Sequence, residues 1–295
     1  MKSLGIKSNY LGIEDKYSGL DDSQIVIVSV PFEKTVSYGK GTANGPKAIL
    51  EASHYVEFYD EEFDRELVFE KGIATLKPIS FKKLSIKKSL NLISQTVRDL
   101  LKENKFVVVL GGEHSISSAT VLPFIETIQN LSILQFDAHS DLRESYENSI
   151  YSHASVMARI SELTNDIVQV GIRAQCIDEA NFIKKNKVKT FYSRDLRTGK
   201  YKDWQREVVN SLNENVFITF DVDAFDPSLL PATGTPEPGG LFWDETINLI
   251  KSIGKEKNIV GFDVVELAPQ KGNPSSDFLT AKLVYKILNC AFQNK

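Results

Sequence analysis

Thiols are nearly absent from this 295-residue chain: Cys176 and Cys290 are the two cysteines, far apart and in neither CxxC nor metal-ligand spacing. That excludes a disulfide framework and a thiolate metal site, and both read as reduced, structural residues outside any chemistry. Histidine is almost as scarce, at four positions, His54, His114, His139 and His153. No apolar run approaches the roughly 20 residues that cross a bilayer, and the N-terminal MKSLGIKSNYLGIEDK lacks the apolar core of a secretion signal. A cytoplasmic protein with no membrane partner is expected.

A basic surplus is missing as well. The net charge of −4 argues against nucleic acid as a partner, because that needs a basic face to displace counterions from phosphates. The most basic stretch, KKLSIKK at 82–88, opens an amphipathic pattern and reads as a solvated helix face. No repeat, low-complexity tract or Pro/Gly/Ser linker divides the chain, so residues 1–295 are expected to form a single domain around one core.

What the chain does have is a regular alternation of short apolar runs with helical patterns. The runs are 24–30, 106–110, 131–136, 166–172, 216–220 and 258–265. They are nearly continuous in apolar residues, as strands covered on both faces should be. Helix-like periodicity fills 44–57, 84–103, 115–130, 154–165, 201–213, 243–257 and 277–292. The alternation predicts an α/β fold, a three-layer sandwich with a mostly parallel central sheet. The segment LLPATGTPEPGG at 229–240 is too rich in proline and glycine for helix or central strand, and reads as a functional loop.

In open parallel sheets ligands bind beyond the carboxyl ends of the strands, and four predicted strands here end in metal-capable or acidic residues. Strand 106–110 runs into GGEHS with His114, and strand 131–136 into DAHSD with Asp137, His139 and Asp141. Strand 216–220 runs into DVDAFD with Asp221 and Asp223, and strand 258–265 into Glu266. Residues two apart on an extended chain face one way, which pairs Asp137 with His139 and Asp221 with Asp223. Alone, each motif could be a turn or a helix cap. Together they place four carboxylates and two imidazoles, enough to hold two divalent ions ~3.5–4 Å apart, and without cations so dense a cluster of like charge would repel itself. His54 falls mid-helix in KAILEASHYVEF and reads as an ordinary helix residue with no metal role.

GGEHS, DAHSDLR, YSHAS, DVDAFDPS and ATGTPEPGG resemble, in order and approximate spacing, the successive signature motifs of the arginase/agmatinase ureohydrolases, over about residues 24 to 290. PFEKTVSYGKGTANGPKAI at 31–49 is similar to the agmatinase branch. The resemblance implies the arginase-like fold and two Mn²⁺ per chain. His114 and Asp141 would be terminal ligands of one ion, His139 and Asp223 of the other, with Asp137 and Asp221 bridging. His153 would move protons and contact substrate, and Glu266 would hold the guanidinium. Relatives of this kind are commonly homotrimers or homohexamers.

Hard carboxylate oxygens with imidazole and no thiolate agree with Mn²⁺, leaving Zn²⁺, Co²⁺ and Ni²⁺ open. Four carboxylates against two divalent ions and one hydroxide leave a cluster near −1, suited to a cationic substrate. A guanidinium is resonance-stabilised and always protonated, so water attacks it slowly. Two divalent ions would supply hydroxide at neutral pH, with Asp141 accepting its hydrogen bond, Glu266 anchoring the guanidinium and His153 helping to protonate the departing amine.

The reaction expected is hydrolysis of agmatine to putrescine and urea, a step of polyamine biosynthesis. Arginine, guanidinobutanoate, guanidinopropionate and aminopropylagmatine present the same reacting group. The segment LRESYENSIYS does not match the arginase pattern for reading an α-carboxylate, and its Glu144 and Glu147 are expected at a rim that repels one. GIATLKP at 72–78 is also unlike many relatives, with effects expected only behind the site or at the surface. Two rival classes are a metal phosphoesterase, for which Arg143 and Arg173 are the nearby cations, and a non-catalytic member of the fold.

Overall fold

A computed structural model describes residues 1–294. One eight-stranded, all-parallel sheet runs through it, with strands β1 (Ile25–Val30), β2 (Ile73–Thr75), β3 (Phe106–Gly111), β4 (Leu131–Phe136), β5 (Ile167–Ile172), β6 (Lys189–Tyr192), β7 (Asn215–Asp221) and β8 (Asn258–Val265). Their spatial order is β2-β1-β3-β8-β7-β4-β5-β6. Helices cover both faces, so every residue of β1, β3, β4 and β5 is buried. That is why these strands read as continuous apolar runs.

Alternate residues feed two apolar cores. Ile25, Ile27, Val108 and Leu110 pack on one face with the C-terminal helix Ser275–Ala291, and Val26, Val28, Val107 and Val109 on the other with helix Ile86–Lys102. Aromatic pairs close the layers, among them Phe136 on Phe220 at 5.0 Å and Phe124 on Phe217 at 4.7 Å between ring centroids. Among the described residues no helix is long and apolar enough to cross a membrane.

Besides the short helices Asp15–Ser18, Leu67–Lys71 and Ser193–Arg197, two strands and one longer helix lie outside the expected set. Strands β2 and β6 are edge strands of three and four residues, too short for periodicity to register. GIATLKP, expected to act only behind the site or at the surface, supplies β2. The helix Ile177–Asn186 buries few of its residues, so its apolar stripe is faint; it starts where Glu179 accepts the backbone N–H of Cys176 at 2.7 Å. His54 is not mid-helix but follows the last residue of helix Gly45–Ser53, and its Nε2 lies 2.9 Å from the Asn9 carbonyl.

The consequence for function is the order of the central strands. β3, β8, β7 and β4 are consecutive neighbours. The chain leaves β3 and re-enters the sheet at β4, leaving room for two strands between them, and later fills the gap with β7 and β8. The crevice at such a reversal is where open α/β sheets take ligands.

Candidate metal centre and active site

Each carboxyl end of the four central strands delivers one part of the cluster. After β3, Gly112 lies so close to β1's exit that a Cβ there would meet the Phe32 carbonyl at 2.1 Å, so only glycine lets the chain turn into His114. After β4 the chain bends through Asp137 and His139 and reaches Asp141 at φ 52°, a left-handed backbone that costs a non-glycine residue about 1–3 kcal/mol. The Asp141 carbonyl accepts the N–H groups of Met157 and Ala158, capping helix Val156–Ser161. After β8, Glu266 is left-handed too, at φ 65°.

These turns bring the expected donors together. His114, Asp137 and Asp141 form one group of possible ligands, and Asp137, His139 and Asp223 another, with the donor atoms of each group within 4.8 Å of one another. Asp137 is common to both. Asp221 belongs to neither group but lies beside the first, its Oδ2 3.4 Å from His114 Nδ1. His114 Nδ1 is also 3.0 Å from Asp137 Oδ2 and 3.0 Å from Asp141 Oδ2, and His139 Nδ1 is 2.9 Å from Asp223 Oδ2.

The residues fit a pair of cations. His114 Nε2 lies 3.0 Å from Thr219 Oγ1, while its buried Nδ1 makes no hydrogen bond although three carboxylates converge on it. A buried imidazole nitrogen facing three carboxylates is the arrangement a shared divalent ion resolves. The carboxylates are pre-oriented by backbone donors. His139 N–H donates to Asp137 at 2.6 Å, Asp223 N–H to Asp221 at 2.8 Å and Ala138 N–H to Asp223 at 2.9 Å.

Without a cation the electrostatics are in conflict. Burial, and then the charge of Asp137, push Asp141 up to about 6, and burial with Asp223 and Asp137 raises Asp221 well above the carboxylate range. Burial pushes Glu266 up to about 8, against the N–H it accepts from His114. Burial disfavours a charged His139, yet Asp223 and Asp137 outweigh it and raise it to about 12. The cluster holds more negative charge than its surroundings solvate, and divalent ions would offset it.

A cavity of about 300 Å³ opens over the cluster, lined by His114, His139, Asp141, Asp221, Asp223 and Glu266, by residues 36–39, by Arg143, Tyr146 and His153, and by Thr233, Gly234, Thr235 and Glu237. That volume suits a small molecule. Gly39 and Gly234 meet backbone to backbone, since a Cβ on Gly39 would lie 2.7 Å from the Gly234 Cα. His153 lines the cavity, with its ring edge-on to Tyr146 at 5.7 Å, its Nε2 3.5 Å from Ser37 Oγ and its backbone N–H on Thr35 Oγ1 at 3.1 Å.

The rim differs from expectation. Glu144 and Glu147 are exposed and absent from the cavity lining. The reason is a tight turn in which Tyr146 and Ser149 exchange backbone hydrogen bonds and Glu147 and Asn148 take φ of 48° and 61°. It turns Tyr146 inward and the glutamates out. Arg143 and Glu237 line the cavity instead.

Comparison with known proteins agrees with this geometry. A sequence profile described as the arginase family matches residues 23–290. The chain belongs to the arginase family of ureohydrolases. It is 37% identical over 273 residues to an N(1)-aminopropylagmatine ureohydrolase of Synechocystis, covering 90% of this chain and 89% of that one. It is 32% identical to an agmatinase of Pyrococcus horikoshii, covering 91% and 92%. In structure it superposes on the agmatine ureohydrolase of Thermoplasma volcanium with a TM-score of 0.85 at 29% identity, covering 95% and 93%.

As an arginase-family chain it also carries supporting residues that the motifs do not reveal. Gln135 Nε2 donates to Asp137 Oδ2 at 2.7 Å, Gln169 Nε2 to Gln135 Oε1 at 2.6 Å, and Thr190 Oγ1 to Gln169 Oε1 at 2.9 Å. This relay across β4, β5 and β6 fixes the shared carboxylate. Its one signal in sequence is a glutamine inside each of two otherwise apolar strands, LSILQF and DIVQVGI. Glu113, buried in GGEHS, accepts the N–H groups of Lys34 and Thr35, each at 2.6 Å, and the hydroxyls of Thr35 and Ser115 at 2.7 and 2.6 Å. It holds the loop against which His153 rests. Arg173, weighed as a phosphate contact, is consumed by the carbonyls of Gly171, Asp223, Ala224, Phe225 and Glu237.

Proposed function

We propose that the protein hydrolyses agmatine to putrescine and urea, with two Mn²⁺ ions held by His114, Asp137, His139, Asp141, Asp221 and Asp223. The observation that carries this reading is the pair of donor groups sharing the buried Asp137, whose other members line a cavity with Glu266 and His153. The donor set is carboxylate and imidazole without thiolate, which suits Mn²⁺. Bound there, the two ions would supply hydroxide at neutral pH.

The chain's own residues do the rest. Glu266 sits in the cavity floor, and as a carboxylate it can take paired N–H groups of a guanidinium and orient its carbon toward the ions. A bound cation also favours its ionised form, against the burial that pushes it up. Asp141 can accept a hydrogen bond from the attacking hydroxide. His153 lines the cavity with its ring steadied by Ser37 and Tyr146, and can deliver the proton that lets the amine depart.

A second reading, hydrolysis of N(1)-aminopropylagmatine, is favoured by the higher identity to the Synechocystis relative of that name than to the Pyrococcus agmatinase. Urea release from a panel of agmatine, aminopropylagmatine, arginine and 4-guanidinobutanoate, with Mn²⁺ added, separates the readings. No urea from any compound would overturn both.

A further inference from the structure

We infer that Glu237 is the residue that selects the substrate's tail, its carboxylate receiving the protonated nitrogen four carbons away from the guanidinium. The inference rests on the ureohydrolase reading above and assigns the end of the cavity that the metal motifs leave open.

The argument begins with the charges around the cavity beyond the metal cluster and Glu266. Its lining there carries Arg143, Glu179, His153 and Glu237. Glu179 is occupied: it accepts the backbone N–H groups of Leu142 at 3.0 Å and Cys176 at 2.7 Å, with Arg143 Nε 3.8 Å away. Arg143 lies over the Tyr146 ring at 5.2 Å and faces that same glutamate. Its charge is therefore balanced within the wall. The Glu237 carboxylate has no hydrogen-bond or ion-pair partner among the described residues. It is half-buried and lines the cavity, where an incoming cation can meet it.

The backbone of Glu237 is fixed by Arg173, whose guanidinium also feels the charge of the Glu237 carboxylate. The Glu237 carbonyl accepts from Arg173 Nε at 3.2 Å and Nη2 at 2.9 Å, and the same guanidinium holds the carbonyl of Asp223 at 2.7 Å. One arginine thus ties the loop to the metal-binding segment. Thr235 and Glu237 each precede a proline, Pro236 and Pro238, which keeps both out of the helical region and the segment drawn out.

The spacing fits a particular tail. A Cβ on Gly234 would lie 4.0 Å from Glu266 Oε2, so that end of the loop sits beside the guanidinium anchor. Three residues on, at most roughly 10 Å of backbone away, is Glu237. From guanidinium carbon to the amine of agmatine is six bonds, about 7–8 Å extended. An aminopropyl extension leaves a protonated secondary nitrogen at the same six-bond distance, so one carboxylate serves both compounds and the extra arm leaves through the mouth. Shorter tails and neutral or anionic ones lose this contact.

The test compares agmatine with n-butylguanidine, which has the same four-carbon chain and lacks the terminal ammonium, in wild type, E237Q and E144Q at saturating Mn²⁺. Glu144 is an exposed glutamate outside the cavity and controls for general surface charge. The ratio of kcat/KM for agmatine over butylguanidine is expected to fall at least tenfold in E237Q and to hold in E144Q. Calorimetric binding of the two compounds to the Mn²⁺-loaded proteins gives the same ratio without turnover. Wild type that releases no urea from agmatine yet binds it with this discrimination would overturn the proposed function and keep the inference. An unchanged ratio in E237Q, or an equal fall in E144Q, would overturn the inference while leaving urea release to stand.

Discussion

The backbone N–H of His114 donates to Glu266 Oε1 at 2.7 Å, joining the end of β3 to the end of the adjacent β8. The residue proposed to hold the guanidinium is therefore registered against a residue proposed to hold a metal ion. Glutamine at 266 can keep this bond through its carbonyl oxygen while losing the charge. E266Q is expected to retain its metal and its melting temperature but lose roughly 10²–10³ in kcat/KM, the range for removing one charge-stabilising contact. Equal loss of metal and activity would mean that Glu266 is itself a ligand.

Metal analysis after Mn²⁺ loading and desalting is expected to give about two equivalents per chain. D137N removes the residue common to both donor groups and should lose both ions, whereas D223N, in one group alone, should keep one. Chelation should abolish urea release and lower the melting temperature, because a ligand bound only by the folded state stabilises it. Activity indifferent to chelators, with stoichiometry near zero, would refute the centre.

His153 separates proton transfer from metal binding. Its ring contacts are Ser37 and Tyr146, and it falls in neither donor group. H153A is expected to lower kcat by something like 10²–10⁴ with metal content intact. H114A should instead lose metal. The same metal loss in both variants would contradict the assignment.

The convergence of the candidate metal-binding residues was legible in sequence because they cluster in short motifs directly after apolar strands, so each motif's location follows from the strand before it. Asp137, His139, Asp221 and Asp223 needed only the strand ends. The relay through Gln135, Gln169 and Thr190 joins three strands whose adjacency depends on topology, and local patterns do not encode topology. Glu144 and Glu147 show the limit from another side. Their charge suggested a rim, but the left-handed turn at Glu147 and Asn148 sends them to solvent, and turn type is set by hydrogen bonds that composition does not reveal. Strands β2 and β6 escaped for a simpler reason, since three or four residues carry too little periodicity.

Stability away from the site rests partly on Lys286 of the C-terminal helix. Its side chain is 3% exposed, with Nζ 2.7 Å from Asp60 Oδ1 and 2.7 Å from Glu62 Oε1. K286M leaves a buried carboxylate uncompensated and should cost about 3–5 kcal/mol at pH 7, most of it recovered in the K286M/D60N double variant. Hydrogen bonds from Lys286 and then Lys251 hold Glu62 below its usual range. A depressed carboxylate contributes stability above its unfolded value and loses it as pH falls through its folded one. Burial disfavours the charged Lys286, but Asp60 and Glu62 outweigh it and raise it, so its share is present below its unfolded value and is lost as pH climbs through the folded one. Urea denaturation should thus show the wild-type advantage over K286M shrinking below about pH 4. A gap that stays constant down to pH 3 would rule out this ion pair as its source.

Substrate charge gives the last prediction: agmatine is expected to exceed arginine in kcat/KM by at least a hundredfold. Arginine places an α-carboxylate on the carbon that bears the distal ammonium, in the part of the cavity that Glu237 faces. Like charges there repel, and burying a carboxylate without matched donors costs several kcal/mol, whereas ~2.7 kcal/mol already gives a factor of a hundred. Among the described residues Arg143 is the arginine lining that region which could reverse the sign, yet it lies over Tyr146 with Glu179 at 3.8 Å, so its charge is largely answered. Raising ionic strength should narrow the preference, because the mouth is open to solvent and screening acts within about 10 Å at 0.1 M salt. Turnover of both compounds at fixed pH and saturating Mn²⁺ decides the matter. Arginine equal to or better than agmatine, or 4-guanidinobutanoate better than either, would mean that Arg143 rather than Glu237 meets the tail.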